Sequence, residues 1–214
     1  MNPATTTPTI SAASARSSGV RILSMLAVLL LSLESSRLMA EATQPSADEL
    51  IQSLGLEGHV EGGYYRRTYE ASDQPRVHTE DGERFRMTSI YYLLTSGGPV
   101  GHFHRNRSNI VHYFHLGDPI EYVLIHPDGE LQTVIMGPDP RQGHHLQLTV
   151  AGGVWKASRL NLQGAQSYGL ISEAVSPGFD YRDMKLGITS ELLAEFPQHR
   201  SYIEALSREP APER

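Results

Sequence analysis

The chain has 214 residues, of which 39% are hydrophobic and 20% are charged, so it is long enough for one sizeable core and typical of a globular protein. It contains no cysteine, which excludes disulfides, thiolate metal ligands and a cysteine nucleophile. The formal net charge is −6 and there is no basic run, so the composition argues against a nucleic-acid-binding protein.

The first forty residues differ in composition from the rest. A segment rich in Ser, Thr and Ala is followed by the uncharged run ILSMLAVLLLSL (Ile22–Leu33) and then by a small residue, Ala40. This order is typical of a secretory signal peptide, and the run is too short for a permanent membrane span. We therefore predict a leader over residues 1–40 and an exported protein, periplasmic or secreted. The alternative is a translation start at Met39 and a cytoplasmic protein.

The first predicted element is a short helix. Ser46 followed by Glu49 forms a capping box before an apolar pattern, and Gly55 ends the helix. Beyond it, short runs rich in Tyr, Ile, Val and Thr alternate with turn residues, which predicts β-strands. The predicted strands are Tyr64–Tyr69, Phe85–Leu94, Val100–His104, Ile110–Leu116, Ile120–His126, Leu131–Met136, His145–Val150, Trp155–Arg159 and Tyr168–Ala174.

This spacing of strands and turns favours an all-β antiparallel sandwich or barrel. Near the C-terminus, SELLAEF predicts a helix that ends before Pro197, and HRSYIEALSRE is a second candidate helix. We predict one folded domain over residues 41–200 and a C-terminal tail over residues 201–214.

Histidines are concentrated in the middle of the chain, where seven of the ten lie between His102 and His145. Alternate residues of a strand share a face, so His102 and His104 are predicted to point the same way. If that face is the interior, two imidazoles converge as a metal site or a proton-transfer site requires. In the next strand, His112 and His115 take opposite faces, so at most one of them joins the first two.

The stretch GHFHRNRSNIVHYFHLGDP resembles the first motif of the cupin superfamily, a His-x-His followed by Glu and then Gly. The segments HVEGGYYRRTY, SIYYLLTSGG, GDPIEYVLIHPDG, MGPD, VAGGVWKAS and SEAVSPGFDY resemble one cupin subgroup, the DUF985 or Cupin_5 family, over about Leu50–Gly187. The resemblance implies an RmlC-like double-stranded β-helix, or jelly-roll barrel, with a pocket inside the barrel and a homodimer. The fold is similar to that of the epimerase that makes dTDP-rhamnose precursors. No general activity is established for the family.

The sequence departs from the ligand pattern of metal-dependent cupins, which use two motif histidines, a Glu from the first motif and a His from the second. The corresponding positions here are His102, His104, either Asn109 or Ile110, and either Trp155 or Lys156. The acidic ligand and the last histidine are therefore missing. The resemblance nevertheless places Asn109, Trp155 and Lys156 near the pocket as candidate ligand-binding residues.

Two imidazoles alone make a poor metal site, since three protein ligands are normally needed. His102 and His104 are the metal candidates; His112, His115 and Glu61 are the candidates for a third ligand, although nothing in the spacing requires one. The pattern favours a pocket without metal and leaves a divalent metal as the alternative. His112 is also a candidate for binding a ligand directly.

Other residues combine a possible chemical role with an ordinary structural one. Glu61 in EGGYY is a candidate general acid or base, or else a solvated turn carboxylate. Tyr92 and Tyr122 can present a hydroxyl to a ligand, or else serve as aromatic core residues. Trp155 is a stacking platform or a core residue. Glu173 is a paired site carboxylate or an outward-facing one.

Three functions are compatible with these features. The first is an enzyme such as a sugar epimerase or isomerase that acts on a small polar metabolite, with His104 as the base, helped by His102, and Tyr92 as the acid. The second is a metal-dependent oxygenase, decarboxylase or lyase that uses His102 and His104. The third is a protein that binds a small molecule without turning it over. We predict a small-molecule ligand and no nucleic-acid partner.

Overall fold

The computed structural model describes residues 44–209. The predicted leader and the alternative start at Met39 lie outside the described residues. The described part of the chain contains the helices α1 (Ala47–Leu54), α2 (Thr189–Glu195) and α3 (Arg200–Leu206). Short 3-10 turns span Pro140–Gln142, Tyr181–Asp183 and Pro197–His199. None of the helices in residues 44–209 is long and apolar enough to cross a membrane.

The strands of the described residues are β1 (Glu57–Gly58), β2 (Tyr64–Glu70), β3 (Val77–Thr79), β4 (Gly82–Arg84), β5 (Thr88–Thr95), β6 (Val100–Asn106), β7 (Asn109–Gly117), β8 (Ile120–Ile125), β9 (Leu131–Met136), β10 (Gln147–Val150), β11 (Trp155–Leu160), β12 (Tyr168–Ser176) and β13 (Met184–Leu186). Every strand predicted from the sequence is present, with its ends displaced by three residues or fewer. The strands that were not predicted, β1, β3, β4 and β13, are two or three residues long. Such short strands carry too few residues for an alternating pattern to emerge.

Two antiparallel sheets form the body of the domain. One has the order β1-β2-β5-β12-β7-β10 and the other the order β13-β6-β11-β8-β9, with β3 and β4 as a separate hairpin. This arrangement confirms the predicted all-β class with antiparallel sheets and short helices near both ends. The two sheets face each other, so the inward side chains of both fill one interior.

The two ends of this interior differ in polarity. One end is a hydrophobic core that includes Tyr92, Tyr122 and Ile171, each at most 4% exposed. The remaining buried members of this core are Leu94, Phe114, Ile120, Val134, Met136 and Leu160. The other end holds charged and imidazole side chains, so the apolar core forms the floor of a polar compartment.

The helices cover the outer faces of the sheets. In α1 the predicted capping box is confirmed, because Ser46 Oγ accepts the Glu49 N–H at 3.3 Å and the Glu49 carboxylate accepts the Ser46 N–H at 2.8 Å. Gly55 ends this helix with a left-handed φ of 60°. Leu50 of α1 packs against Leu93 on the outer face of the six-stranded sheet.

The C-terminal helices pack on the outer face of the five-stranded sheet. Ile203 and Leu206 of α3 are 0% and 1% exposed and contact Phe103 and Trp155 in one hydrophobic cluster. The segment 201–206 therefore belongs to the folded domain, and the domain boundary predicted at residue 200 is corrected. The apolar periodicity of this segment had marked it as a helix, but not as one that packs.

Candidate active site

Polar side chains from both sheets meet inside the barrel. In the five-stranded sheet, His104 of β6 lies opposite Lys156 of β11. In the six-stranded sheet, His112 of β7 lies opposite Glu173 of β12. Directly opposed residues of antiparallel strands project from the same face, so each sheet contributes one pair to the interior. All four residues are at most 9% exposed, and charges buried this deeply must be paired.

Lys156 links the two sheets through a buried ion pair. Its Nζ lies 2.8 Å from Nε2 of His112 and 3.3 Å from each carboxylate oxygen of Glu173. Nδ1 of His112 donates to the carbonyl of Leu148 at 3.3 Å, so Nε2 is the nitrogen with a lone pair and accepts from the ammonium. Burial opposes ionisation of Glu173, but the Lys156 ammonium outweighs it and holds the pKa of Glu173 well below its usual range. Glu173 thus faces inward as a carboxylate, and its pair with Lys156 has no net charge.

A tight loop after β1 places Glu61 beside this cluster. Gly62 and Gly63 have positive φ angles of 102° and 66°, which glycine adopts without steric cost. A β-carbon on Gly62 would collide with the carbonyl oxygen of Val100, so the loop lies directly against β6. The Glu61 carbonyl accepts a hydrogen bond of 2.7 Å from the backbone N–H of His102. The two glycines therefore let the loop enter the barrel, where Glu61 is only 7% exposed.

Glu61 and His104 lie close enough to form an acid–base pair. Nδ1 of His104 lies 2.8 Å from the carbonyl oxygen of His102, and because a carbonyl can only accept, this nitrogen carries the ring proton. The other nitrogen, Nε2, lies 3.2 Å from Oε2 of Glu61. Nδ1 of His59 accepts the Glu61 backbone N–H and lies 3.6 Å from the same oxygen. An ionised Glu61 would face the lone pairs of His104 Nε2 and His59 Nδ1, whereas a protonated Glu61 can donate to Nε2 of His104.

The electrostatics favour the same protonation state. Burial raises the pKa of Glu61 to about 8; Lys156 acts against this rise and Glu173 adds to it. Burial, reinforced by Lys156, holds the pKa of His104 well below its usual range. At neutral pH the pair therefore consists of a carboxylic acid and an uncharged imidazole. An acid with a pKa near the ambient pH is suited to reversible proton transfer.

A β-bulge in β6 interrupts the alternation that the sequence predicts. In the pairing with β11, His102 and Phe103 together oppose the single residue Ala157. The extra residue reverses the phase of the strand, so Gly101 takes the interior position that unbroken alternation assigns to His102. A β-carbon on Gly101 would lie 2.7 Å from the hydroxyl oxygen of Tyr92, and glycine is therefore the residue that fits.

His102 consequently points away from His104, which corrects the predicted convergence of the two rings. The His102 ring lies near Arg208 and the backbone of Leu206, and its burial together with the Arg208 charge lowers its pKa. The backbone of His102 does serve the site, because its carbonyl accepts from His104 and its N–H binds the Glu61 carbonyl. The His102 side chain is not part of the wall of the cavity that Glu61 and His104 line.

Two predicted ligand-binding residues also lie away from the interior. Trp155 is 3% exposed in the outer cluster with Phe103. The guanidinium of Arg105 lies 4.7 Å from the Trp155 ring centroid. Asn109 is exposed at the start of β7, where its Oδ1 accepts the Gly152 N–H at 2.9 Å and holds a turn. Of the two residues aligned with the second motif, Lys156 and not Trp155 faces the interior.

Tyr92 and Tyr122 form the boundary between the polar compartment and the apolar core. The Tyr92 hydroxyl donates to the carbonyl of Gly62 at 2.9 Å. The Tyr122 ring lies edge-on to His112, with centroids 5.0 Å apart. Burial and the neighbouring glutamates raise the pKa values of both phenols well above 10. Both tyrosines face inward as the sequence predicts, but they are weaker acids than Glu61.

The Glu61–His104 pair lines a small cavity whose wall also includes Tyr65, Arg67 and Phe179. The centres of water molecules can reach about 30 Å³ of it, which is room for about two waters. A larger ligand therefore requires lining side chains to move.

The residues of the cavity wall that were not singled out from the sequence include His59, Arg67 and Asn106. His59 precedes Glu61 by two residues in the HVEGG segment, and Asn106 follows His104 by two residues in β6. The alternation that placed His104 inside also predicts an inward Asn106. No feature of the sequence shows that Arg67 points inward. Alternate residues of a strand face opposite sides, and the neighbouring residue is also an arginine, so the pattern does not show which of the two is inside.

The residues at the cupin ligand positions do not fit a metal. Among the cupin ligand positions, His104 is the one that presents an imidazole to the interior, since the His102 ring points away and Asn109 holds a turn. Lys156 places its ammonium beside the His112 imidazole and the Glu173 carboxylate, and this positive charge repels a metal cation. Within residues 44–209, no group of three or more His, Asp or Glu side chains is arranged to hold a metal ion.

Comparisons with known proteins agree with this fold. The model of the Cupin_5 family, described as cupin superfamily (DUF985), matches residues 48–187. Uncharacterized protein YML079W of Saccharomyces cerevisiae is 39% identical over 148 residues, which are 64% of this chain and 73% of the yeast protein.

Two solved structures are similar over most of the chain. A hypothetical protein from Leishmania major has a TM-score of 0.72 and 33% identity, covering 77% of this chain and 100% of its own. Protein SO0799 from Shewanella oneidensis has a TM-score of 0.69 and 38% identity, covering 78% of this chain and 100% of its own. The match to the family model, the identity to the yeast protein and the two-sheet barrel together show that this chain belongs to the Cupin_5 (DUF985) family of the cupin superfamily.

Proposed function

We propose that the barrel binds a small polar metabolite and isomerises it by proton transfer, with Glu61 and His104 as the acid–base pair and without a metal. The observation that carries this proposal is the distance of 3.2 Å between Oε2 of Glu61 and Nε2 of His104, over which a protonated Glu61 can donate a hydrogen bond. Both residues are at most 7% exposed and both line the cavity. A buried acid and base that share one proton can each exchange it with a ligand.

The proposed proton transfers balance within the pair. Glu61 donates its proton to a basic atom of the ligand and becomes a carboxylate. Nε2 of His104, released from that hydrogen bond, takes a proton from a neighbouring atom of the ligand. Transfer of a proton from the imidazolium to Glu61 then restores the starting state. The ligand is isomerised with no net gain or loss of protons, as an epimerase or isomerase requires.

The surrounding groups support these roles. The Lys156–Glu173 pair is neutral overall, so it adds no net charge to the interior of the barrel. Burial keeps water from competing for the proton. Tyr92 is less suited as the acid, since its hydroxyl already donates to a backbone carbonyl and its pKa is well above 10.

Exchange of ligand C–H hydrogens with deuterium tests the proposal without knowledge of the natural substrate. The protein is incubated in D₂O with a panel of aldoses, ketoses and hydroxy acids, and the mass of each compound is followed. We expect exchange in at least one compound, with a rate lower by about 10²-fold or more in Glu61→Gln, the usual contribution of a general acid or base. The control is Glu130→Gln, which changes an exposed carboxylate in a turn.

An equal exchange rate in wild type and Glu61→Gln contradicts the proposal. Binding of a compound whose C–H hydrogens never exchange supports instead a protein that binds a small molecule without turning it over.

A further inference from the structure

Two buried hydrogen-bonding atoms in the cavity wall have no partner. They are Nε of Arg67, a donor, and Oδ1 of Asn106, an acceptor. Asn106 is 7% exposed and lies two residues beyond His104 on the same face of β6. Leaving a buried polar atom without a partner is costly, and native structures contain few such atoms. Both atoms lie in the wall of the cavity that Glu61 and His104 line, where a ligand can satisfy them.

Arg67 is also the cavity-lining charge that is least compensated. Lys156 and Glu173 cancel each other, while Glu61 and the lining imidazoles are uncharged at neutral pH. The partner of Arg67 is Glu70, whose Oε2 lies 3.1 Å from Nη1. Both side chains are more than a third exposed, and solvent weakens such a pair. Nε of the guanidinium is buried without a hydrogen-bond partner, so it is the atom that remains to donate to an anion.

We propose that the ligand is a small carboxylate that carries a hydroxyl or amino group. Its carboxylate accepts from Nε of Arg67, since the planar guanidinium matches a carboxylate. Its hydroxyl or amino group donates to Oδ1 of Asn106. This inference rests on the proposed function, because the carbon between these two groups is the one at which Glu61 and His104 would exchange a proton.

Sodium lactate and its neutral isostere lactamide separate the charge from the shape of the ligand. The ring C–H signals of the histidines in isotopically labelled protein are followed by NMR at constant ionic strength. We expect lactate to cause saturable shifts of the signals from His59 and His104, and lactamide to bind at least tenfold more weakly. Propionate, which lacks the hydroxyl, is expected to bind more weakly than lactate.

Two neighbouring arginines of β2 provide a matched pair of variants. Arg67→Met is expected to weaken lactate binding at least tenfold, whereas Arg66→Met, which alters an exposed side chain, leaves it unchanged. Equal affinities for lactate and lactamide in the wild type overturn the proposal even if a variant fails to fold. Absence of saturable lactate binding, or an equal effect of the two substitutions, also overturns it.

The outcomes also distinguish this inference from the proposed function. Lactate binding without deuterium exchange in any compound supports the carboxylate site and contradicts the acid–base chemistry. Exchange in a neutral sugar without lactate binding retains the chemistry and removes the carboxylate site.

Discussion

The raised pKa of Glu61 predicts a stability that depends on pH and that the substitution Glu61→Gln abolishes. Gln has nearly the same shape, and its amide can donate to Nε2 of His104 as the protonated acid does. The substitution therefore keeps the hydrogen bond and removes the ionisation. Any difference in the pH dependence of unfolding between the two proteins belongs to this carboxyl group.

The sign and size follow from proton linkage. The pKa of Glu61 is about 8 in the folded protein, against an ordinary value of 4.5, so the folded state binds this proton more tightly. Between these two values the unfolded chain has already lost the proton, and the free energy of unfolding falls as pH rises. With about 1.4 kcal/mol for each unit of pKa, the loss is about 3 kcal/mol at pH 7 and about 4 kcal/mol at pH 8. Below pH 4.5 the contribution is fully present.

Urea unfolding of both proteins at intervals from pH 4 to pH 9 measures this effect. The other ionisable groups are common to both proteins and cancel in the difference. We expect Glu61→Gln to gain stability relative to wild type steadily from about pH 5 to about pH 8, and then to show a constant difference. Glu130→Gln serves as the control and is expected to follow the wild-type curve. A difference between wild type and Glu61→Gln that does not change with pH would refute the protonated state inferred for Glu61.

Two further predictions concern the residues around this pair. Lys156→Met leaves the Glu173 carboxylate buried without its cation and should cost about 3–5 kcal/mol of unfolding free energy at pH 7. The control Lys185→Met breaks an ion pair whose side chains are about half exposed and should cost at most about 1 kcal/mol. Equal losses of the two variants in urea unfolding would show that the buried pair is not stabilising. Gly101→Ala places a methyl group 2.7 Å from a buried tyrosine hydroxyl oxygen and should destabilise the folded protein by about 1–3 kcal/mol. The control Gly58→Ala has no atom within 4 Å of the added carbon and should leave the melting temperature nearly unchanged. An unchanged melting temperature of Gly101→Ala would mean that β6 relaxes at the bulge.

The elements that the sequence predicted well depend on neighbouring residues. The capping box at Ser46, the helix end at Gly55 and the strand positions all follow from patterns within a few residues. Glu61 was identified from its place in the family segment HVEGGYYRRTY, and the positive φ angles of Gly62 and Gly63 are what bring it into the barrel. The inward position of His104 likewise follows from its motif.

The predictions from the sequence were wrong where the direction of a side chain depends on how strands distant in the chain pair with each other. The bulge in β6 exists because His102 and Phe103 both oppose Ala157, a residue more than fifty positions later in the chain. A register shift of one residue moves a side chain to the opposite face, and no pattern inside β6 reveals it. The orientations of Trp155 and Lys156 follow from the same pairing, so an alignment of motifs left them undecided.

The sequence by itself determined the family and the antiparallel β-architecture, because these follow from local periodicity and short motifs. The tertiary structure decided which histidine partners Glu61, and that Lys156 supplies the internal cation. It also raises the pKa of Glu61 to about 8 through burial. These properties are set by burial and by charges brought together from β6, β7, β11 and β12, and the free energy of a charge depends on every group packed around it.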